Sequence, residues 1–191
     1  MKDSEFVAKA IDIAKNYKTL YILGCFGAPM IPKNKKRYSN NNEYNKKRSN
    51  MINSASIDTF GFDCCGLIKG ILWGWKGDVS KTYGGATYAS NGVPDLGANG
   101  LIKACKDVST DFSTIVPGEV VWLDGHIGIY VGNNQCVEAT PKWDNKVQFS
   151  TVTNLFPLTT DTKRRKWTKH GKLPWIEYNV VKVCPTCGRP L

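Results

Sequence analysis

A thiol attacks a carbonyl carbon as its thiolate, and a neighbouring imidazole that takes the proton is a common way of making one. This chain holds seven Cys and two His, which allows fourteen possible pairs. Cys64 stands apart among the thiols. It follows Asp63 and opens the run CCGLIKGILWGW, in which Leu67, Ile68, Ile71, Leu72 and Trp75 recur at helical spacing. With Asp63 as cap, the Cys64 thiol sits at a helix N-terminus, where unpaired N–H groups and the positive end of the helix dipole favour thiolate. The same N–H groups are suited to hold the oxyanion of a tetrahedral intermediate. Cys65 lies about 100° further round the helix, so it is not expected to face the same base, and adjacent Cys residues are ordinarily small buried hydrophobes.

His126 opens the β-branched run HIGIYVG beside a turn, a rigid place for a base, although a His at a strand end is more often an ordinary hydrogen-bonded surface residue. His170 falls between Lys169 and Lys172. An exposed setting with positive neighbours is expected there, which disfavours the imidazolium that a base must form. Strand geometry supplies a third group. If HIGIYVG and QCVEAT form a hairpin with a three-residue loop centred on Asn133, Gly128 faces Glu138 and His126 is the diagonal neighbour of Glu138. A carboxylate there would accept from the far imidazole nitrogen and fix its tautomer. Cys136 shares that face.

Elements to hold these groups can be read on either side of them. Phe6, Val7, Ala10, Ile13, Ala14 and Tyr17 predict a helix over 6–17, with Ser4 as its N-cap. A glycine-rich connection over 80–100 precedes a short helix over 99–106. After Pro117-Gly118, the runs EVVWLD, HIGIYVG, QCVEAT and KVQFST predict an antiparallel meander. Helices first and strands second give an α+β fold with the helices on one face of the sheet. The chain's 191 residues suit one domain, over 1–178, followed by a tail over 179–191.

Hydrophobic residues make up 41% of the chain, too many for a disordered polypeptide, and no run approaches the roughly 18 apolar residues of a membrane span. Asp3, Glu5 and Asp12 fall where a secretory leader needs basic and then apolar residues, so synthesis in the cytoplasm without a signal peptide is expected. An odd cysteine count in that setting implies mostly reduced thiols. The net charge of +10 implies a polyanionic partner: nucleic acid, an anionic membrane surface or the phosphate-bearing polymers of a bacterial wall. It gathers in 33–50, within an Asn- and Lys-rich insertion over about 33–57, and in KRRKWTKHGK at 163–172. Each cluster reads most simply as a solvated, flexible segment. The insertion could act as an electrostatic tether to a wall or as a lid over a cleft.

These motifs carry a resemblance. FDCCGL resembles the D-C-x-G-L signature of the NlpC family of papain-like cell-wall cysteine peptidases. GEVVWLDGHIGIYVG is similar to that family's G-D-x-x-x-F, H-V-G-I-Y-x-G segment, and VEAT stands where its third polar residue is found. The resemblance covers roughly 1–150 and implies a papain-like fold with Cys64 as nucleophile, His126 as base and Glu138 as orienting residue. YILGCFG resembles the family's Y-x-x-G-G segment, which would make Tyr21 a donor at the oxyanion site. Cys25, Cys65 and Glu119 depart from the pattern, replacing Gly, Ser and Asp. The implied activity is endopeptidase cleavage within peptidoglycan stem peptides, often next to a D-isoglutamyl residue, in a phage or prophage lysin released at the wall by lysis or carried on a virion. An N-acetylmuramoyl-L-alanine amidase of CHAP type is the alternative, and a basic nucleic-acid-binding module without catalysis is the reading from a different class.

No cofactor is needed for this chemistry. The tail VCPTCGRPL pairs Cys184 and Cys187 as half a zinc knuckle. Such a pair supplies two of the four ligands of a structural site, so it is either completed elsewhere or idle.

Overall fold

A computed structural model describes residues 1–179. Its first helix, α1 (Asp3–Asn16), buries Phe6, Ala10 and Ile13, the stripe read from the sequence. It begins before Ser4, with Lys2 as N-cap, because the Glu5 carboxylate reaches back to the Lys2 N–H at 3.1 Å and satisfies the helix start from inside.

Three short strands follow around an inserted helical segment. β1 (Thr19–Tyr21) lies parallel to β3 (Phe60–Phe62), and β2 (Phe26–Pro29) lies antiparallel on the other side of β3. Between β2 and β3 the chain forms α2 (Pro32–Tyr38), α3 (Glu43–Lys46) and α4 (Ser49–Ser54). The flexible loop expected here is therefore an ordered unit. Tyr38 and Ile52 are buried with Ile22, Cys25, Ala28 and Met30 in a core of their own. The Asn residues that made the segment look low in complexity satisfy backbone groups. Asn34 donates to the Pro29 and Thr82 carbonyls, Asn42 caps α3, and Asn45 bonds both the N–H and the C=O of Leu23.

α5 (Cys64–Leu72) is buried along its whole length. It can lie directly on β2 because a Cβ at Gly66 would meet the Cys25 carbonyl oxygen at 1.9 Å, and one at Gly70 would meet that of Phe26 at 2.7 Å. A loop containing six of the chain's glycines leads to α6 (Ala98–Ala104), two residues shorter at its end than the expected helix because β4 (Lys106–Ser109) begins there.

The second sheet has seven strands. β5 (Val120–Leu123), β6 (His126–Gly132), β7 (Gln135–Thr140) and β8 (Lys146–Val152) form the expected meander, and β9 (Arg164–Arg165) and β10 (Lys169–Lys172) complete the order β4-β10-β5-β6-β7-β8-β9. Every pairing is antiparallel except β8 with β9. The 163–172 cluster is thus sheet and not a solvated tail. Along β10, Lys169 is exposed and His170 buried, since successive strand residues point to opposite faces. α1 and α5 cover one face of this sheet, burying Leu67, Ile68 and Ile71 against Ile127, Ile129 and Val137. The fold is α+β, with the helices on one side of a largely antiparallel sheet.

Candidate active site

Cys64 is the first residue of α5. Asp63 caps the helix by accepting the Gly66 N–H at 2.5 Å, and its other oxygen accepts the Gly24 N–H at 2.6 Å. Burial lifts the Asp63 carboxyl to about 6, the adjacent Cys64 adding to the effect. Among the described residues, the backbone N–H groups of Cys64 and Cys65 have no acceptor. A helix start leaves such donors free.

His126 opens β6, and its Nε2 lies 2.6 Å from Glu138 Oε2. The pairing of Ile129 with Val137 and Tyr130 with Cys136 sets Gly128 opposite Glu138, the register expected. A Cβ at Gly128 would lie 3.3 Å from that of Glu138. The turn itself differs: the register shifts beyond Tyr130, and Gly132 pairs with Gln135 across Asn133 and Asn134, which both take positive φ. The irregularity lies at the hairpin tip and leaves the site's register untouched.

The Cys64 thiol pKa is lowered. The Cys65 thiol, whose sulfur lies 3.8 Å away, is the leading cause, burial opposes it, and the His126 imidazole and the Ile127 N–H add to the lowering. Cys65 is correspondingly raised by the neighbouring Cys64 and by burial, so it remains a protonated donor. It therefore touches the candidate nucleophile and is more than a buried apolar filler. At His126, burial pulls the pKa down, but Cys64 and Glu138 outweigh it and the net direction is up. Together these shifts favour thiolate and imidazolium.

Glu138 is fully buried and has three partners. Besides His126, the Arg165 guanidinium spans both its oxygens, with Nε at 3.1 and 3.0 Å and Nη2 at 2.8 Å, and Ser150 Oγ donates to Oε1 at 2.5 Å. Burial raises its pKa, while His126 and Arg165 lower it more, leaving a carboxylate. Cys136 lies behind Ser150, at 3.1 Å. Trp167 stacks on the imidazole, with centroids 5.5 Å apart and planes 11° from parallel. Arg165, Ser150 and Trp167 went unread in the sequence. The signal was the alternation Arg165-x-Trp167 inside a cluster otherwise taken for solvated charge.

Tyr21, at the end of β1, is brought beside this centre. Burial and the proximity of Cys64 push its phenol pKa up, so it is a proton donor, and among the described residues its hydroxyl has no acceptor. The inserted segment holds it. Arg48 Nη1 donates to the Tyr21 carbonyl at 3.0 Å, Nη2 reaches Asn145 Oδ1, and the guanidinium lies over the rings of Tyr44 and Tyr21.

His170, expected to be exposed, is 2% exposed. Its Nδ1 pairs with the Glu119 carboxylate and its Nε2 faces the Asp111 carbonyl at 3.0 Å. It is a structural link between β10, β5 and the turn around Phe112, and is not part of the Cys64 centre. Glu119, at the position where the motif carries Asp, is its partner. Asp63, Cys64 and Cys65 bring ligand atoms within 4.8 Å of one another, but both Asp63 oxygens are occupied by backbone N–H groups, which leaves no complete metal set there. Cys184 and Cys187 lie outside the described residues.

No family model matches the chain, and no curated protein does. Among solved structures it is similar to the P60 domain of an antigen from M. avium subspecies paratuberculosis, at 15% identity and a TM-score of 0.44, covering 89% of this chain and 96% of that one. It is also similar to NlpC2 from Trichomonas vaginalis, at 13% identity and a TM-score of 0.44, over 88% of this chain and 46% of that one, so it spans under half of that protein's length.

Proposed function

We propose that this protein is a cysteine hydrolase that cuts amide bonds in the stem peptides of bacterial peptidoglycan through an acyl-enzyme. One observation carries the chemistry: a thiol at a helix start beside a strand-held imidazole whose far nitrogen bonds a fully buried carboxylate. The substrate class rests on the resemblance of FDCCGL, GHIGIYVG and YILGCFG to the NlpC motifs.

In this reading the Cys64 thiolate attacks the scissile carbonyl carbon and forms the C–S bond, and the carbonyl π electrons move onto oxygen. The Cys64 and Cys65 N–H groups and the Tyr21 hydroxyl donate to that oxyanion. Collapse breaks the C–N bond, and the His126 imidazolium gives its proton to the departing amine. Neutral His126 then takes a proton from water, hydroxide adds to the thioester, and the Cys64 thiolate leaves. Glu138 orients His126 and stabilises its charge throughout, and it transfers no proton itself. The net charge of +10 would hold the enzyme near anionic wall polymers, which makes the wall its place of action.

Digestion of purified peptidoglycan from several bacteria, with mass spectrometry of the fragments, tests the proposal. New amino and carboxyl ends inside the stem peptide are expected. Intact stem peptides freed from the glycan would mean an amidase, and no released fragment from any wall would refute the hydrolase reading.

A further inference from the structure

The turn between β7 and β8 carries an aromatic side chain in a backbone conformation that suits it poorly. Trp143 has a φ of 61°, in the left-handed region, where a bulky residue crowds its own backbone. Among the described residues, the other non-glycine positions with positive φ hold Ala, Asn or Asp, and Asn145 in this same turn is one of them. A Gly or Asn at 143 would meet the same requirement with less strain. The turn is nevertheless firmly held. Buried Gln148 donates from Nε2 to the Lys142 carbonyl at 2.9 Å, the Lys142 N–H donates to Thr140 Oγ1 at 3.3 Å, and Asp144 pairs with Lys146 and Lys163. Strain of this kind persists only where the surroundings fix it, and it gathers at places that have a use.

The indole meets a part of the candidate site. The Arg165 guanidinium lies over the Trp143 ring, 5.2 Å from its centroid, and over the Trp167 ring at 5.4 Å, while its N–H groups bond Glu138. Arg165 has little else to hold it. Its strand, β9, is two residues long, lies at the edge of the sheet and pairs with β8 alone. A long side chain with much rotamer freedom is costly to fix from so short a base, and an aromatic face attracts a guanidinium laid over it. Contacts therefore run from Trp143 to Arg165, and from there by two routes, through Glu138 and through Trp167, to the His126 imidazole. Nothing in the reaction outlined above uses Trp143.

We propose that Trp143 is a positioning residue: its indole holds the Arg165 guanidinium against Glu138 and so fixes the carboxylate that orients His126. The effect on turnover rests on the hydrolase reading, whereas the effect on the reactivity of Cys64 does not. Glu138 is faced by His126 from β6, Arg165 from β9 and Ser150 from β8, with Cys136 behind Ser150. Burial raises the Glu138 pKa, and His126 and Arg165 bring it down. A looser Arg165 therefore lets Glu138 take up a proton at higher pH. That withdraws support from the imidazolium, and with it the contribution that His126 makes, after Cys65, to keeping Cys64 a thiolate.

The test compares Trp143→Asn, which suits a positive φ and removes the ring, with Trp143→Phe, which keeps an aromatic face. Iodoacetamide labelling of Cys64 is followed against pH by mass spectrometry of its peptide, and kcat and KM are measured on a soluble stem peptide. In Trp143→Asn the onset of labelling should move to higher pH, and kcat should fall by about twofold to thirtyfold, the range of one cation–π contact, with KM little changed. Trp143→Phe should lie between this variant and the wild type. Unfolded protein does not imitate the shift, because it labels near the ordinary thiol pKa of about 8.5 and leaves the onset of the folded fraction in place. In an Arg165→Met background, where no guanidinium remains to be held, Trp143→Asn should change neither quantity further; if Arg165→Met does not fold, the order Trp, Phe, Asn in the parent protein decides. An unmoved onset in Trp143→Asn, or a Phe variant no better than the Asn one, would overturn the proposal. So would a further loss in the double variant that falls on KM, which would mean that Trp143 meets the substrate directly. A shifted onset in a protein whose wild type cleaves no peptide would uphold the role of Trp143 and remove the hydrolase instead.

Discussion

Glu138→Gln is the most informative single change, because the carboxylate is fully buried and meets His126, Arg165 and Ser150 together. The amide oxygen can accept from His126 or from Arg165, and its NH₂ must then point at a group that is itself a donor. Losing one charge-assisted bond to the imidazolium costs about 1.5–3 kcal/mol. At about 1.4 kcal/mol per decade, kcat/KM should fall by roughly ten- to 150-fold. Glu138→Ala, which removes the acceptor and leaves Arg165 facing a void, should fall further. Because Glu138 helps to raise the His126 pKa, its loss should also move the alkaline limb of the pH profile downward, narrowing the range in which thiolate and imidazolium coexist. The assay is turnover of a soluble stem peptide against pH, normalised by titration of the reactive thiol so that unfolded protein is not counted. Wild-type rates in both variants, or an alkaline limb that stays in place, would refute Glu138 as the orienting group.

Cys64→Ala should abolish activity while Cys65→Ser retains much of it, since a serine hydroxyl still donates to the thiolate; Cys65→Ala should shift iodoacetamide labelling of Cys64 toward higher pH. In the wild type one cysteine should label fast at mildly acidic pH, and no fast phase would contradict the lowered Cys64 pKa. His126→Ala should inactivate a still-folded protein, whereas His170→Ala should cost about 3 kcal/mol of stability, read by denaturant unfolding, because Glu119 is left buried without its partner. Tyr21→Phe should lower kcat more than it raises KM, as expected for a donor used in the transition state. Neutralising the exposed Lys36, Lys46 and Lys47 should weaken low-salt binding to whole walls, while Arg48→Ala should slow turnover of a small peptide by loosening Tyr21.

The helix start at Cys64, the meander and the His126–Glu138 diagonal were legible in the sequence, because local periodicities of 3.6 and 2 residues report which side chains share a face. The inserted segment and the 163–172 strands were not. In both, composition was read where position decides. Asn side chains can solvate a loop or complete a buried backbone, and only the fold says which. The two Lys beside His170 said nothing of its exposure, since a strand turns alternate residues to opposite faces. Arg165 escaped for a related reason: its carboxylate is 27 residues away and is reached only once β9 lies beside β8.

The bare contact between α5 and β2 has a consequence for how such a protein can diversify. At Gly66 and Gly70 helix and strand touch backbone to backbone, with no side chain in the gap to be resized. Any larger residue there would wedge the helix away from the strand and carry Cys64 off its alignment with His126, however well the remaining core adapted. Arg37, Tyr83, Tyr88 and Asp95, by contrast, stand on α2 and on the glycine-rich loop, outside that backbone contact. The cavity that those four side chains line can change in shape and charge while the backbone contact at Gly66 and Gly70 stays as it is, so the two regions are free to vary at different rates.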